Sequence, residues 1–302
     1  MIEILFLGTA ASMPSRHKSL PCVAARHGSD VLLFDCGEGT QRQLMISPLS
    51  FMKVKAIFLT HLHGDHIIGV PGLLQTMGLS GRKDPIFIYG PSGTGNSVRM
   101  LMGSCEGELQ YPVEVIEADP GLVFEGRGYS VSAVESDHGT ASLAYVMEEN
   151  AVPGRINRSK AESLGLEPKD LALIKKGISV KGVDPGEVTG PARRGVKIVI
   201  TGDTRPHDRI REAAAGADML IHEATFMNDS AELADAHMHS TALQAAEIAR
   251  GSDAGMLVLT HISNRYEDLS LPEEEARSVF PNTVAARDMD MYQVSISGIR
   301  SV

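Results

Sequence analysis

Three histidines and an aspartate fall within six residues in the stretch Thr60-His61-Leu62-His63-Gly64-Asp65-His66. Imidazole nitrogen and carboxylate oxygen are both good donors to zinc. In an extended segment, side chains two apart share a side. His61, His63 and Asp65 then line up together, and His66 points elsewhere. One short segment can thus feed two neighbouring metals with two donors each, and Gly64 lets the backbone turn between them. The residues alone also admit a polar turn with surface histidines, or one zinc closed by all four. Structural zinc more often uses cysteine, which weighs against the second.

Positioning these donors requires rigid elements. An apolar run at 56–59 leads into the cluster, and Ile67, Ile68, Val70, Leu73, Leu74 and Met77 follow at helical spacing. The cluster therefore sits where a buried strand ends and a helix begins, a place where ligands bind. The design recurs downstream. Strand-like runs at 129–134, 198–200 and 257–259 lead to His138, Asp203 and His261, each at the end of its run. A carboxylate has enough lone pairs for Asp203 to bridge two metals. Asp35 closes another strand, where it could receive a hydrogen bond from a ligating histidine or equally serve as a plain helix cap. Glu38 and Thr40 are cap candidates for the helix after it. Ser240 or Thr241 fits the N-cap of a later helix, which would aim the adjacent His239 from a rigid element.

His61-x-His63-x-Asp65-His66 resembles the signature of the metallo-β-lactamase superfamily. That resemblance implies an α/β fold, an αββα sandwich with a two-metal site at one edge. It places His61, His63 and His138 on one metal, Asp65, His66 and His261 on the other, and Asp203 between them. Further stretches are similar to the ribonuclease Z family, which trims the 3′ end of precursor tRNA. They are Phe6-Leu7-Gly8-Thr9, Phe34-Asp35-Cys36-Gly37-Glu38, Gly202-Asp203-Thr204-Arg205-Pro206, His222-Glu223-Ala224-Thr225, His239-Ser240-Thr241 and His261-Ile262-Ser263-x-Arg265-Tyr266. Pairing of Glu223 with His239 is the most discriminating of these. The resemblance implies a hydrolase with two Zn2+ per subunit, precursor tRNA as partner, and a homodimer. Metal-assisted phosphodiester hydrolysis then assigns Asp65 to take the proton from the attacking water. His239, supported by Glu223, becomes the general acid for the leaving oxygen.

The family also carries an inserted arm that clamps the tRNA elbow, here expected at residues 152–191 within a single domain spanning 1–302. From 152 to 197 there are ten basic and five acidic residues, whereas the whole chain carries a net charge of −10. A basic segment on an acidic body suits a polyanion. Lys175 and Lys176 on the arm, and Arg16 and Lys18 on the long first loop, are the substrate-contact candidates. The arm departs from the family pattern: Leu166-Glu167-Pro168-Lys169 lacks the usual Gly-Pro step, and the first loop matches only partly. A metallohydrolase acting on a small ester, lactone or phosphodiester is the alternative enzyme. A non-catalytic RNA-binding protein is the alternative from another class, and it would tolerate lost metal donors, of which none is lost.

The remaining features narrow the class. Hydrophobic content of 43% and charged content of 22% fit a globular chain. No apolar run reaches membrane-spanning length, so no membrane association is expected. The start of the chain reads as a first strand rather than a leader. Cys22, Cys36 and Cys105 form no C-x-x-C pair and read as thiols of a reducing cytoplasm. Gly90-Pro91-Ser92-Gly93-Thr94-Gly95-Asn96-Ser97 approaches a phosphate loop, but Asn96 stands where the lysine belongs, so it reads as a strand-to-helix turn. Helices are expected at 40–45, 67–79, 97–102, 209–215, 241–250 and 272–280.

Overall fold

The computed structural model describes residues 1–302. The first sheet takes β1 (Ile2–Gly8), β2 (Cys22–His27), β3 (Asp30–Phe34), β4 (Val54–Phe58), β5 (Ile86–Gly90) and β6 (Val113–Glu117). The second takes β7 (Gly121–Gly126), β8 (Tyr129–Glu135), β9 (Leu143–Glu149), β10 (Lys197–Ile200), β11 (Met219–Glu223), β12 (Leu257–Thr260) and β13 (Thr283–Ala285). The chain then returns to the first sheet as β14 (Met291–Ser295) and β15 (Gly298–Ser301), with β14 antiparallel to β1.

Period-two alternation builds the layers. Along β1, Ile2, Ile4 and Phe6 enter the core between the sheets, while Leu5 and Leu7 face outward into a second core. That outer core is filled by α1 (Thr40–Ile46), α2 (Gly64–Ile67), α3 (Gly69–Leu79) and α4 (Thr94–Gly103), through Leu44, Ile67, Leu73, Leu74, Met77 and Val98. In β10, Ile198 and Ile200 point inward and Val199 points outward. The central strands of each sheet are therefore buried on both faces and both sheets carry helices outside, the αββα sandwich. No helix is long and apolar enough to cross a membrane.

Strands β9 and β10 are antiparallel neighbours, yet the chain between them makes a long excursion. That excursion holds α5 (Arg158–Ser163), α6 (Pro168–Ile174) and α7 (Pro185–Val188). Ala161, Leu166, Ile174, Val183 and Val188 form a small core of their own there. Bridges Val152–Arg193 and Ile156–Thr189 tie the outgoing and returning chains together. The second sheet is then covered by α8 (Asp208–Ala213), α9 (Ala231–Ala236), α10 (Ala242–Gly251) and α11 (Ser270–Arg277), with Ile210, Ala245, Ala246, Ala249 and Ala276 packed against it.

Three local expectations need correction. The helix expected at 67–79 is divided after Ile67, because the Gly69 amide donates to the Cys36 carbonyl at 2.9 Å and Pro71 has no amide hydrogen for the Ile67 carbonyl. A Cβ at Gly69 would lie 2.0 Å from the Gly37 carbonyl oxygen. Neither Glu38 nor Thr40 caps α1: Gly39, at φ 86°, precedes it without a side-chain cap. The Thr40 hydroxyl donates to the Gly37 carbonyl instead. Asp65 lies in α2, so only His61 and His63 obey the extended-chain parity. Thr241 is the N-cap of α10, in a reciprocal capping box with Gln244. The glycine-rich turn before α4 receives the carboxylate of its own chain, Gly95 N donating to Glu117 Oε1 at 3.1 Å.

Candidate metal centre

Strands β4, β8, β10 and β12 all end at one edge of the sandwich, and the loops leaving them bring the seven expected donors together. On one side, His61 Nε2 and His63 Nδ1 are 3.0 Å apart, and His138 Nε2 is 3.3 Å from the same His63 nitrogen. On the other, Asp65 Oδ2 lies 3.6 Å from His66 Nε2 and 3.5 Å from His261 Nε2. Asp203 stands between the groups. Its Oδ2 is 3.7 Å from His61 Nε2, 3.5 Å from His66 Nε2 and 3.7 Å from His138 Nε2, and its Oδ1 is 3.4 Å from His261 Nδ1, the ring nitrogen on the far side from Asp65.

These spacings suit cations. Tetrahedral zinc with bonds of about 2.0–2.1 Å to nitrogen sets its donors about 3.3 Å apart. His66 Nε2, His261 Nε2 and Asp203 Oδ1 are buried without any hydrogen-bond partner. Orphaned polar atoms are costly in a protein interior, and three within one histidine and aspartate cluster fit metal that they would ligate. The other ring nitrogen of most of these histidines is held by the protein. His66 Nδ1 faces Asp35 Oδ2 at 2.8 Å, His138 Nδ1 faces the Met238 carbonyl at 2.8 Å, and His61 Nδ1 faces the Thr60 hydroxyl at 3.0 Å. Such contacts fix tautomer and ring orientation.

Electrostatics follow the same geometry. Burial, reinforced by neighbouring His66, pushes the His61 imidazole down to about 2, which leaves it a neutral donor. Burial opposes charge on His66, but Asp203 and Asp35 on either side hold its pKa well above the ordinary value. Burial would raise Asp203, yet His261, His66 and His61 around it keep its carboxyl well below the usual range. Asp65 is likewise lowered against its own burial by His261 and His66.

Beside this cluster, His239 Nδ1 donates to Glu223 Oε1 at 2.7 Å. Burial disfavours a charged His239, but the Glu223 carboxylate outweighs it and raises the imidazole to about 9. His239 keeps 12% of its side-chain surface exposed, while Glu223 keeps 1%. Its ring lies 4.8 Å from His138 and 5.5 Å from His261, so a protonated imidazole borders the donor cluster.

Of the substrate-contact candidates, the first loop reaches the cluster, with Ser12 N donating to Asp65 Oδ2 at 3.0 Å. Lys18 Nζ leans on the Tyr266 carbonyl at 3.4 Å, and Arg16 is exposed. Lys175 lines a cleft of about 940 Å³ on the excursion between β9 and β10, together with Arg155, Arg158 and Arg193. Lys176 lies next to it but outside the cleft wall. Sequence reasoning missed Arg155, Arg158 and Arg193 as one group, because their convergence depends on how α5 and α6 fold. It also missed the hydroxyls of Thr60 and Thr225, and Asp288. The Asp288 carboxylate anchors the first loop by accepting from Ser19 N at 2.6 Å and Thr9 Oγ1 at 2.8 Å. For Thr60 the available signal was adjacency to His61.

The chain is 44% identical over 295 residues to ribonuclease Z of Methanosarcina acetivorans, a match covering 96% of this chain and 97% of that one. The chain belongs to the ribonuclease Z family. Ribonuclease Z of Pyrococcus horikoshii is 40% identical, with 99% and 98% covered. Among solved structures, the short form of human tRNase Z superposes with a TM-score of 0.71 at 31% identity, covering 97% of this chain and 100% of that one. The family model of the anti-Pycsar protein Apyc1 matches residues 2–150. Ribonuclease Z membership and the convergent histidine and aspartate clusters together make this a metal-binding chain.

Asp35 tests the supporting contacts of the ribonuclease Z centre. Its carboxylate accepts from Thr60 N at 2.7 Å, from Thr60 Oγ1 and from His66. Asn tolerates the positive φ of 62° found there, so Asp35→Asn removes charge with little backbone cost. Zinc affinity, read by chelator competition, is expected to fall about 10–100-fold. Unchanged affinity would show that His66 needs no such support.

Proposed function

We propose that this chain is a metal-dependent endoribonuclease that removes the 3′ trailer from precursor tRNA and leaves a 3′-hydroxyl on the tRNA. The observation that carries the reading is the Glu223–His239 pair set beside the histidine and aspartate cluster, in a chain with ribonuclease Z relatives over nearly its whole length. His61, His63 and His138 would hold one Zn2+, Asp65, His66 and His261 a second, and Asp203 both. Bound zinc supplies Lewis acidity at the phosphate and lowers the pKa of water.

The chain's own groups do the rest. Asp65 Oδ2 is engaged by Ser12 N and faces His66 and His261, so Oδ1 is the oxygen that takes the proton from the attacking water. His239 gives its Nδ1 hydrogen to Glu223 and offers Nε2 to the leaving 3′-oxygen as general acid. The negative charge of Glu223 keeps the imidazole protonated at neutral pH.

Residues 152–191 are the tRNA-binding arm in this reading. Arg155, Arg158 and Lys175 in its cleft, Arg193 at its root, and Lys176 beside it would meet backbone phosphates, which fix position and not sequence. Arg16 and Lys18 would meet the substrate near the cut. β9 and β10 pair directly, so a short linker can replace the arm without breaking the second sheet. That deletion is expected to abolish processing of precursor tRNA while sparing hydrolysis of a nitrophenyl phosphodiester. Normal tRNA processing by the deletion variant would dismiss the clamp. The family resemblance also supports a homodimer, read by light scattering as about twice the 32.4 kDa chain. Cys22, Cys36 and Cys105 are all free thiols, in keeping with a cytoplasmic setting.

The direct assay uses end-labelled precursor tRNAs, with and without an encoded CCA. A cut at the trailer, lost on chelation and restored by zinc, is expected. Intact precursors at full zinc occupancy would overturn the reading.

A further inference from the structure

Glu223 accepts four hydrogen bonds. Oε1 takes Thr204 N at 3.0 Å and His239 Nδ1 at 2.7 Å, and Oε2 takes Thr225 N at 3.0 Å and Thr225 Oγ1 at 2.8 Å. The same Thr225 hydroxyl lies 2.9 Å from His261 Nδ1. A hydroxyl has one proton, and an ionised carboxylate can only accept. The Thr225 proton therefore goes to Glu223, and its oxygen receives the N–H of His261. That leaves His261 Nε2 unprotonated and free to ligate, the atom that is buried without a partner. His261 itself sits at φ 53°, in the left-handed region that non-glycine residues uncommonly occupy.

The opposite side of the cluster repeats the device. The Thr60 hydroxyl contacts Asp35 Oδ2 at 2.9 Å and His61 Nδ1 at 3.0 Å, while Asp35 also holds His66. Two buried threonine–carboxylate pairs thus each orient two histidines. The pair at Thr60 serves two ligands, whereas the pair at Thr225 serves one ligand and His239.

We propose that Thr225 is a positioning residue that couples the ligand His261 to the His239–Glu223 pair, its single hydroxyl locking the imidazole tautomer on one side and the carboxylate on the other. This rests on the reading of His239 as general acid. Isosteric Thr225→Val removes the hydroxyl, and Thr225→Ser keeps it. Each is made alone and with His239→Ala, and two quantities are read: zinc affinity by chelator competition, and kcat and KM on precursor tRNA at saturating zinc.

Thr225→Val is expected to lose about 10–100-fold in zinc affinity and about 10-fold in kcat, with KM within about 2-fold. Thr225→Ser restores both. In the His239→Ala background, Thr225→Val still weakens zinc but no longer lowers kcat. Unchanged zinc affinity, failure of Ser to rescue, or a full further loss of kcat on top of His239→Ala would each overturn the coupling. Should His239→Ala alone leave kcat intact, the acid assignment falls, and zinc affinity with Ser rescue still decides the role of Thr225 at His261. If the Val variant shows no cooperative thermal transition, Thr225→Ala takes its place in every comparison.

Discussion

Asp203→Ala is expected to strip bound zinc and tRNA cleavage together. Asp203 is 3% exposed and lies within 4.0 Å of His61, His66, His138, His239 and His261. No other carboxylate lies within reach of both halves of the cluster, since Asp65 faces only His66 and His261. Removing one partner from a buried charged group costs about 3–5 kcal/mol. At 1.36 kcal/mol per decade that is a fall of roughly 10²–10⁴ in zinc affinity. Activity should fall at least as far, because the same oxygens organise both halves. Metal analysis after gel filtration and a cleavage time course on precursor tRNA measure the two losses. An alanine variant that retained its full zinc content would discredit the bridging carboxylate, whatever its activity.

His239→Ala is expected to give the opposite dissociation, with zinc retained and kcat on precursor tRNA lowered about 10²–10⁴-fold. His239 is not among the seven donors, and its Nδ1 is committed to Glu223. Only Nε2 is available for chemistry, so the loss belongs to leaving-group protonation. It should shrink towards unity on a nitrophenyl phosphodiester, whose leaving group needs no proton. Glu223→Gln is expected to share the pattern more weakly, since the hydrogen bond survives while the charge that raises His239 is lost. An unchanged tRNA turnover in His239→Ala rules out the acid role, and equal losses on both substrates place the defect in folding or metal binding.

The clustering of the seven candidate donors was legible in the sequence because several of them follow apolar runs. The run at 56–59 delivers His61, and those at 198–200 and 257–259 deliver Asp203 and His261, in keeping with β4, β10 and β12. Six helix positions were also readable, and of the two cap candidates Ser240 and Thr241 the structure uses Thr241. Strands β2, β7, β13, β14 and β15 were not. β2 carries Ala24 and Ala25 rather than a β-branched run, and it is a strand because β1 and β3 flank it. β7 begins and ends in glycine and leaves Leu122 exposed, so its pattern resembles a loop. The helices of the excursion had readable signals that periodicity missed. Glu167-Pro168-x-Asp170 and Asp184-Pro185-x-Glu187 each form a capping box with proline in the first turn. The Thr225 contact lay beyond sequence reading, because Thr225 meets His261 through the parallel pairing of β11 and β12.

The candidate donors run from His61 to His261 and follow strands of both sheets, so neither sheet by itself carries a complete set. Separating the two sheets is therefore expected to disperse the set, so that unfolding and metal release coincide in one transition.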